Sequence, residues 1–498
     1  MSATMTTPST TPANAEIPGN AGNAGDTGVD RSATRSRATW FGQPRGLTVL
    51  FLTEMWERFS FYGMSALLVY YMTKQLHFSQ ADASLIYGLY TGGVFLTPIA
   101  GGYLADRWLG RRLAIVIGGS LMAVGHFALS WEALFYPSLV LIALGNGLFL
   151  PNLPSQVGDL YAENDPRRGG AYNVYYVGVN LGGLLAPLAC GTLGEVYGWH
   201  WGFGAAGVGM CVGLAIYLLG GRHLPADRPR DTSARAANAT SPNAAGAAGS
   251  TNSTGSPGSS IAEKSVDGHA RRKPGAAAIV VPLLLVALAV MVFRSSYAHS
   301  GNTLALWADT SVDLHAFGFA IPVTWVQSLN PLFVFLFTPL LIRAWRRAAV
   351  KGREPAPVRK MAIGAAGVAA AYLLLAAMAA MSDGKPVSGL LLVVFFAVYT
   401  VGELYILPVG LGLFARLAPS GMGATVIAAW FLAAFAGNLL SGVVGRAWEW
   451  LGPAGFFVLL AALAAAASLA LLALGPMLRR LEAPLALTPA LSRKRERE

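Results

Sequence analysis

Charged residues and cysteines are scarce in this 498-residue chain. Asp, Glu, Lys and Arg make up 12% of it, against about 25% in an average soluble domain. The two cysteines, Cys190 and Cys211, both lie in apolar stretches, which argues against a disulfide framework. The sequence contains no Gly-x-x-x-x-Gly-Lys-Ser/Thr loop and no His/Cys cluster with the spacing of metal ligands. These absences argue against a soluble domain, ATP-driven transport and a metal site.

Apolar residues are abundant instead. Hydrophobic residues make up 54% of the chain, and the 58 glycines suit close packing of membrane helices. An apolar segment of about 20 residues crosses a bilayer as a helix. We therefore predict membrane spans near 46–72, 84–106, 112–131, 135–158, 171–193, 200–221, 276–299, 323–345, 360–381, 387–413, 422–446 and 453–476.

These spans predict an all-α membrane protein with twelve transmembrane helices in two six-helix bundles, residues 46–222 and residues 276–478. Residues 223–275 are rich in Ala, Gly, Ser, Asn and Pro, which is typical of a largely disordered cytoplasmic linker. Residues 1–45 are predicted to be a disordered cytoplasmic tail and not a signal peptide. Residues 479–498 are predicted to be a second cytoplasmic tail.

Basic residues alternate between the gaps that separate the spans. They cluster at 31–45, 107–112, 167–168, in the linker, at 343–360, at 416 and at 479–480, and the intervening gaps have few of them. Cytoplasmic loops of membrane proteins are enriched in Lys and Arg. The alternation therefore predicts cytoplasmic termini and a multi-pass protein of the cell (inner) membrane. The same clusters account for the net charge of +11, so no nucleic-acid partner is predicted.

The first predicted span contains three ionisable residues, Glu54, Glu57 and Arg58, spaced so that they share one helical face. A charge in the hydrocarbon region costs roughly 2.5–3.5 kcal/mol on insertion scales. Such a face is tolerable only against a watery cavity or a polar partner helix. It therefore favours a transporter, and the missing ATP-binding loop favours secondary transport.

The gap after the second span, residues 101–112, reads GGYLADRWLGRR. It closely resembles the signature of the major facilitator superfamily between its second and third helices. Two six-helix halves joined by a linker are also the layout of that superfamily, whose halves rock about a midplane site. The resemblance implies that Asp106, Arg107 and Arg111 form a charge network that closes the cytoplasmic side. An ordinary basic turn is the alternative.

Several segments, in order along residues 46–476, resemble the proton-dependent oligopeptide transporters. The first-span run EMWERFSFY, residues 54–62, looks like the signature of that family. Further matches are GNGLFLPN (145–152), DPRR (165–168) with Tyr172, Asn180 and Pro187, QSLNP (327–331), GELYILPVGL (402–411), and WFL (430–432) with Gly437 and Asn438.

The resemblance implies roles for individual residues. Those implied in proton coupling are Glu54, Glu57, Arg58 and Glu403. Those implied in lining the peptide site are Tyr62, Asn180, Asn330 and Trp430. Two alternatives stay open. The asparagines are candidates for interhelical hydrogen bonds, worth roughly 0.6 kcal/mol each, and Trp430 is a candidate packing residue.

Four positions depart from the family's pattern. A fourth-helix lysine, a first-helix arginine, the first tyrosine of a pair and a seventh-helix glutamate are replaced by Leu150, Ser65, Phe61 and Ala298. The seventh span brings Arg294 instead, which we predict to bind substrate in place of the missing lysine. Three acids then accompany two cations within the membrane. Because burial disfavours a charged carboxylate, we hypothesise that Glu54 or Glu57 is protonated at rest and carries the transported proton.

The sequence therefore predicts a secondary active transporter that takes up di- and tripeptides, or peptide-like solutes, with protons by alternating access. Its predicted partners are short peptides, protons and the bilayer, and it is predicted to be monomeric. We predict no enzymatic activity, no catalytic residue, no cofactor and no metal. The alternatives are a family member with an altered substrate or weakened proton coupling, proton-antiport efflux of small molecules, and a polytopic membrane enzyme or sensor.

Overall fold

The structure, a computed structural model, describes residues 38–39, 42–162, 165, 167–225, 276–316, 318–382, 384–419 and 422–495. Most of the predicted N-terminal tail and of the predicted linker lies outside the described residues, so their disorder stays a prediction. Helical segments occupy each of the twelve predicted spans, and the fourth, 135–158, is divided between the helices Phe135–Phe149 and Asn152–Asp159. The all-α prediction is thus confirmed.

The first bundle begins after a short hairpin of β1 (Ala38–Thr39) and β2 (Gln43–Pro44). π-Helical turns extend three of its helices, at Tyr71–Gln75, Ala105–Leu109 and, in two steps, Pro187–Gly191 and Leu193–Tyr197. Its described helices are α1 (Arg45–Tyr70), α2 (Gln80–Leu104), α3 (Arg111–Ala128), α4 (Phe135–Phe149), α5 (Asn152–Asp159), α6 (Arg167–Ala186) and α7 (Trp199–Gly220).

The second bundle contains two pairs of two-residue strands between its helices. These strands are β3 (Val312–Asp313), β4 (His315–Ala316), β5 (Phe319–Ala320) and β6 (Val387–Ser388); β3 pairs with β6 and β4 with β5. The described helices are α8 (Ala276–Tyr297), α9 (Thr303–Ser311), α10 (Leu329–Val350), α11 (Pro357–Met381), α12 (Gly389–Leu417), α13 (Gly423–Gly445) and α14 (Trp448–Arg495). Gly452, with φ 65°, interrupts α14, which continues into the predicted C-terminal tail.

Ten helices among the described residues are long and apolar enough to cross a membrane. They correspond to four spans of the first bundle and all six of the second. α1 contains three charged residues in its interior and α3 begins with Arg111 and Arg112, and neither helix is among the ten. The protein is a multi-pass membrane protein.

The two bundles meet along two helix pairs. α2 packs against α13, and α6 packs against α10. Within the first bundle, α1 packs against α6 and α7. The charged residues of α1 are therefore enclosed largely by helices of their own bundle.

Two glycines allow close helix contacts beside the predicted site. A Cβ atom on Gly182 of α6 would lie 2.2 Å from the Met55 carbonyl oxygen and 2.9 Å from Arg58 Cβ in α1. A Cβ atom on Gly437 of α13 would lie 2.4 Å from Arg294 Cβ in α8. Side chains would push these helices apart, since small residues are what let membrane helices approach. The glycines thus hold α6 against Arg58 and α13 against Arg294.

Candidate functional site

The predicted proton-coupling residues of α1 form one buried ion cluster. Arg58 Nε lies 3.0 Å from Glu54 Oε1 and 2.8 Å from Glu57 Oε2. Arg58 is 7% exposed, Glu54 2% and Glu57 0%. Asn146 of α4 donates a 3.4 Å hydrogen bond to Glu57 Oε1. Two carboxylates share one guanidinium, so the cluster is negative when both are ionised and neutral when one is protonated.

A cavity of about 360 Å³ lies between the two bundles. Four of the five predicted substrate-binding residues line it, and Glu403 joins them. The volume is within the range of small-molecule sites, roughly 300–1,000 Å³. Its lining includes the substrate candidates Tyr62, Asn180, Arg294 and Asn330 and the aromatic residues Phe61, Tyr87, Phe95, Tyr176, Tyr297 and Phe396.

Arg294 and Glu403 are the charged side chains among the described lining residues. Glu403 Oε2 accepts a 2.6 Å hydrogen bond from Asn330 Nδ2. The Arg294 guanidinium lies 4.8 Å from the centre of the Phe95 ring and 5.7 Å from that of Tyr297. Its Nε is buried and has no hydrogen-bond partner in the part of the chain that the structure describes. The cavity thus offers a cation with unused donor capacity and an acid that an amide holds in place.

The two asparagines of the predicted site differ in their contacts. Asn330 bonds across to α12, at Glu403 and at Thr400 Oγ1, the latter at 3.2 Å. Asn180 donates to the carbonyl oxygen of Tyr176 in its own helix at 2.9 Å. The interhelical alternative therefore describes Asn330, whereas the hydrogen bond of Asn180 stays within its own helix and this residue lines the cavity.

Trp430 is not part of this lining. Its ring centroid lies 5.2 Å from that of Phe414, it is 5% exposed, and a Cβ atom on Gly410 would meet the indole at 2.3 Å. The indole therefore packs between α12 and α13. This placement matches the packing alternative, and a role of Trp430 in substrate binding stays a prediction.

Three of the departures from the family pattern face the cavity. Phe61, Ser65 and Ala298 belong to its lining. The Ser65 hydroxyl is buried and has no hydrogen-bond partner among the described residues. Ala298 lies four residues after Arg294, which places the two side chains on neighbouring turns. The chain therefore carries a cation close to the position where the family has an acid.

The predicted gate residues are not joined to one another in the described chain. Arg111 at the start of α3 pairs with Asp159 at the end of α5, with 2.5 Å between Nη1 and Oδ2. Asp106 and Arg107 are exposed on the turn after α2. The observed ion pair lies within the first bundle. No spacing in the sequence links Arg111 to Asp159, and the prediction missed this partner.

Hydrogen bonds between the two bundles concentrate at the end of the molecule remote from Arg111. We term it the Lys74 end; it comprises residues 70–84, 187–197 and 302–325. Lys74 Nζ lies 2.8 Å from Asp309 Oδ2. The Tyr70 hydroxyl donates to the Ala305 carbonyl oxygen at 3.0 Å, and the Trp325 indole N–H donates to Thr192 Oγ1 at 2.8 Å. The opposite end, termed the Arg111 end, comprises residues 105–112, 159–162 and 350–360. The bundles are thus fastened together at the Lys74 end.

Glu195 makes the most specific of these contacts. Its two carboxylate oxygens accept hydrogen bonds from the backbone N–H groups of Val323, at 3.0 Å, and Thr324, at 2.9 Å. These N–H groups begin the 3-10 turn Val323–Ser328 that leads into α10, where helical partners are missing and the partial charge is positive. The first bundle therefore caps a helix of the second. In the amino-acid sequence Glu195 stands out only as an acidic residue in a short gap between two spans, so this role was not predicted.

Glu195→Gln should loosen the Lys74 end. Hydrogen bonds to a charged acceptor contribute about 1.5–3 kcal/mol, and glutamine retains one neutral acceptor, so we expect labelling of the cavity from this end to accelerate about tenfold. The measurement is modification of Ser65→Cys by a membrane-impermeant thiol reagent, with Cys190 and Cys211 replaced by serine. Glu132→Gln is the matched control, because Glu132 bonds to Gln75 within the first bundle. Equal labelling rates in the two variants would refute the role of Glu195 in holding the bundles together.

Comparisons with known proteins agree over most of the chain. A family model described as POT family matches residues 112–452. An uncharacterized transporter, YclF, of Bacillus subtilis (strain 168) is 33% identical over 474 residues, which covers 89% of this chain and 95% of that protein. A di-/tripeptide transporter of Lactococcus lactis subsp. cremoris is 34% identical over 452 residues, covering 81% and 89%. A crystal structure of a mutant peptide transporter POT in complex with alafosfalin has a TM-score of 0.77 and 29% identity, covering 90% and 98%.

Proposed function

The chain belongs to the POT family of membrane transporters, and on that premise we propose that it takes up di- and tripeptides or peptide-like solutes with protons by alternating access. The di-/tripeptide transporter of Lactococcus lactis is a similar protein, which supports peptides as the substrate class. The observation that carries the proposal is the cavity between the bundles. It holds Arg294, whose Nε has no hydrogen-bond partner among the described residues, and Glu403, which Asn330 anchors. The buried ion cluster lies on the α1 helix that also supplies Tyr62 to its lining.

A short peptide has a carboxylate at one end and an ammonium group at the other. We propose that Arg294 binds the carboxylate, because its buried Nε has no hydrogen-bond partner among the described residues. Glu403, held by Asn330, binds the ammonium group, and Asn180 meets the peptide backbone. The aromatic lining accommodates different side chains through apolar contact, as permissive sites do. Both charged ends of the substrate are then held by the second bundle.

The ion cluster of α1 supplies the proton site in this proposal. A net negative charge in a buried, low-dielectric place is costly, so one carboxylate takes up a proton when water reaches the cluster. The proton leaves when Arg58 is reoriented and the protonated side chain meets the other compartment. The tight contact at Gly182 transmits a shift of α6 to the Arg58 side chain.

We propose that the structure is open toward the Arg111 end and that this end faces the cytoplasm, with the protein in the inner membrane. Closure at the Lys74 end supports the first part. The alternation of basic gaps supports the orientation.

Uptake into proteoliposomes tests the function. Labelled dialanine should accumulate when the outside is made acidic, and a protonophore should return it to equilibrium. With one proton per peptide, one pH unit sustains roughly tenfold accumulation, since 1.4 kcal/mol corresponds to a factor of ten. Accumulation that ignores the protonophore would contradict proton coupling, and proton-driven extrusion would favour the antiport alternative.

A related function, with an altered substrate, is favoured by one observation. Ser65 and Ala298 face the cavity without charge, and its described charged groups both come from the second bundle. A solute with a carboxylate and an amine at another separation than a dipeptide fits the same two groups. Competition of dialanine uptake by amino acids with amines at increasing distance from the carboxylate would reveal it.

A further inference from the structure

A second cavity, of about 660 Å³, lies at the Arg111 end of the second bundle. It is formed by the connection between α10 and α11 together with residues 471–479 of α14. Three exposed arginines, Arg353, Arg359 and Arg479, line it. Its other walls are mainly apolar and include Leu471 and Leu472. None of these residues belongs to the substrate cavity described above.

The charges around this cavity are unbalanced. Its acidic lining residue, Glu354, is already paired with Lys360, whose ammonium group also lies 4.4 Å from the centre of the Trp345 ring. The three arginines form no ion pair with any residue that the structure describes. Arg479 donates only a long bond of 3.4 Å from Nε to the carbonyl oxygen of Gly475. The cavity therefore presents three guanidinium groups to whatever enters it.

The backbone adds to this positive potential. α11 is a 25-residue helix that begins at Pro357, and no side chain caps its first turn. The N–H groups of Val358 and Arg359 therefore have no helical acceptor, and the positive end of the helix dipole lies in the cavity wall. Both residues are among the lining.

The adjoining surface of α14 is apolar and open. Leu469 is 67% exposed and Leu472 is 49% exposed, and both lie on the membrane side of Arg479. A soluble anion would make no apolar contact with these leucines, whereas the acyl chain of a lipid would cover them. A basic pocket beside an apolar helix surface, at a membrane boundary, is the arrangement that binds acidic lipid headgroups.

We propose that this cavity binds the phosphate of an anionic phospholipid, with the headgroup among Arg353, Arg359 and Arg479 and an acyl chain along α14. The predicted orientation places the lipid in the cytoplasmic leaflet. The proposal does not depend on the transported substrate. It links the stability of the second bundle to the lipid composition of the membrane.

The test compares two triple variants of the full chain in nanodiscs. The site variant is Arg353→Gln/Arg359→Gln/Arg479→Gln. The matched control, Arg343→Gln/Arg346→Gln/Arg347→Gln, removes the same charge from exposed positions of α10 that are outside the lining. Native mass spectrometry measures phosphatidylglycerol retained from equal mixtures with phosphatidylcholine. We expect enrichment to fall about fivefold for each arginine removed from the site, and little change in the control.

Thermal midpoints separate the possible sources of phosphate and reveal a folding defect. Phosphatidylglycerol should raise the midpoint of the wild type and of the control, but not that of the site variant. Inorganic phosphate and glycerol phosphate should leave all three unchanged. If soluble phosphate stabilises the wild type as much as the lipid does, or if the control loses the lipid equally, the proposal is wrong. If the site variant is unstable in phosphatidylcholine alone, the single variants Arg353→Gln and Arg479→Gln replace it. Each should lower the enrichment of phosphatidylglycerol about fivefold, and unchanged enrichment in both would refute the proposal.

Discussion

The double variant Glu54→Gln/Glu57→Gln should lose accumulation driven by a proton gradient completely. The variant has no carboxylate left in the buried cluster, so no proton is taken up with the substrate. Arg58 would also be left buried without a counter-ion, which costs about 3–5 kcal/mol. Uptake of labelled dialanine with and without a pH gradient measures the first effect, and the thermal midpoint measures the second.

The single variants separate coupling from stability. Glu54→Gln and Glu57→Gln each leave one carboxylate for Arg58, at 2.8 Å or 3.0 Å in the present structure. Each cluster is then neutral without a proton, so we expect folding to be preserved and accumulation to be lost, while exchange of labelled for unlabelled peptide continues. Glu132→Gln, at an exposed acid, is the control and should transport normally. Gradient-driven accumulation in the double variant would show that Glu54 and Glu57 do not form the proton site.

Arg294→Gln should raise KM for a dipeptide by roughly tenfold to a hundredfold, because a charged hydrogen bond contributes about 1.5–3 kcal/mol. The loss should depend on the substrate's carboxylate. A dipeptide amide lacks that group, so the wild type and the variant should transport it with similar, weak affinity. Combining the protein change with the substrate change forms a double-mutant cycle that isolates the pair.

The structure predicts that Arg294→Gln will fold. Glu403 keeps its 2.6 Å bond to Asn330, so removing the arginine leaves no acid without a partner. Arg416→Gln, at an exposed arginine in the last turn of α12, is the control. If the affinities for the dipeptide and its amide fell equally, Arg294 would shape the cavity without binding the carboxylate.

The spans were predictable because each depends on local hydrophobicity. Apolar runs of the right length became helices at all twelve places, even in α1, where three charges interrupt the run. The break between α4 and α5 falls at Pro151, which cannot donate a helical hydrogen bond. The separate helix α9 and the π-helical turns had no such marker, since they follow from packing at the ends of the spans.

The site was predictable where one helix face or a family motif defines it. Glu54, Glu57 and Arg58 share a face by spacing alone, and Tyr62, Asn330 and Glu403 follow from motifs. The contact between Tyr297 and Arg294 could also have been predicted, because residues three apart on one helix are neighbours. The contacts of Asp159 and Glu195 depend on how distant segments meet, and the packed position of Trp430 depends on Gly410 in another helix.

The contact of Glu195 has a consequence for how such proteins are compared. Its acceptors are met by main-chain amides at positions 323 and 324, which every residue type except proline provides. Those two positions are therefore free to drift among relatives while the fastening persists. Covariation across an alignment would not reveal the pair, and exchanging charges between the two positions could not restore it. Only the acid itself would leave a trace in evolution.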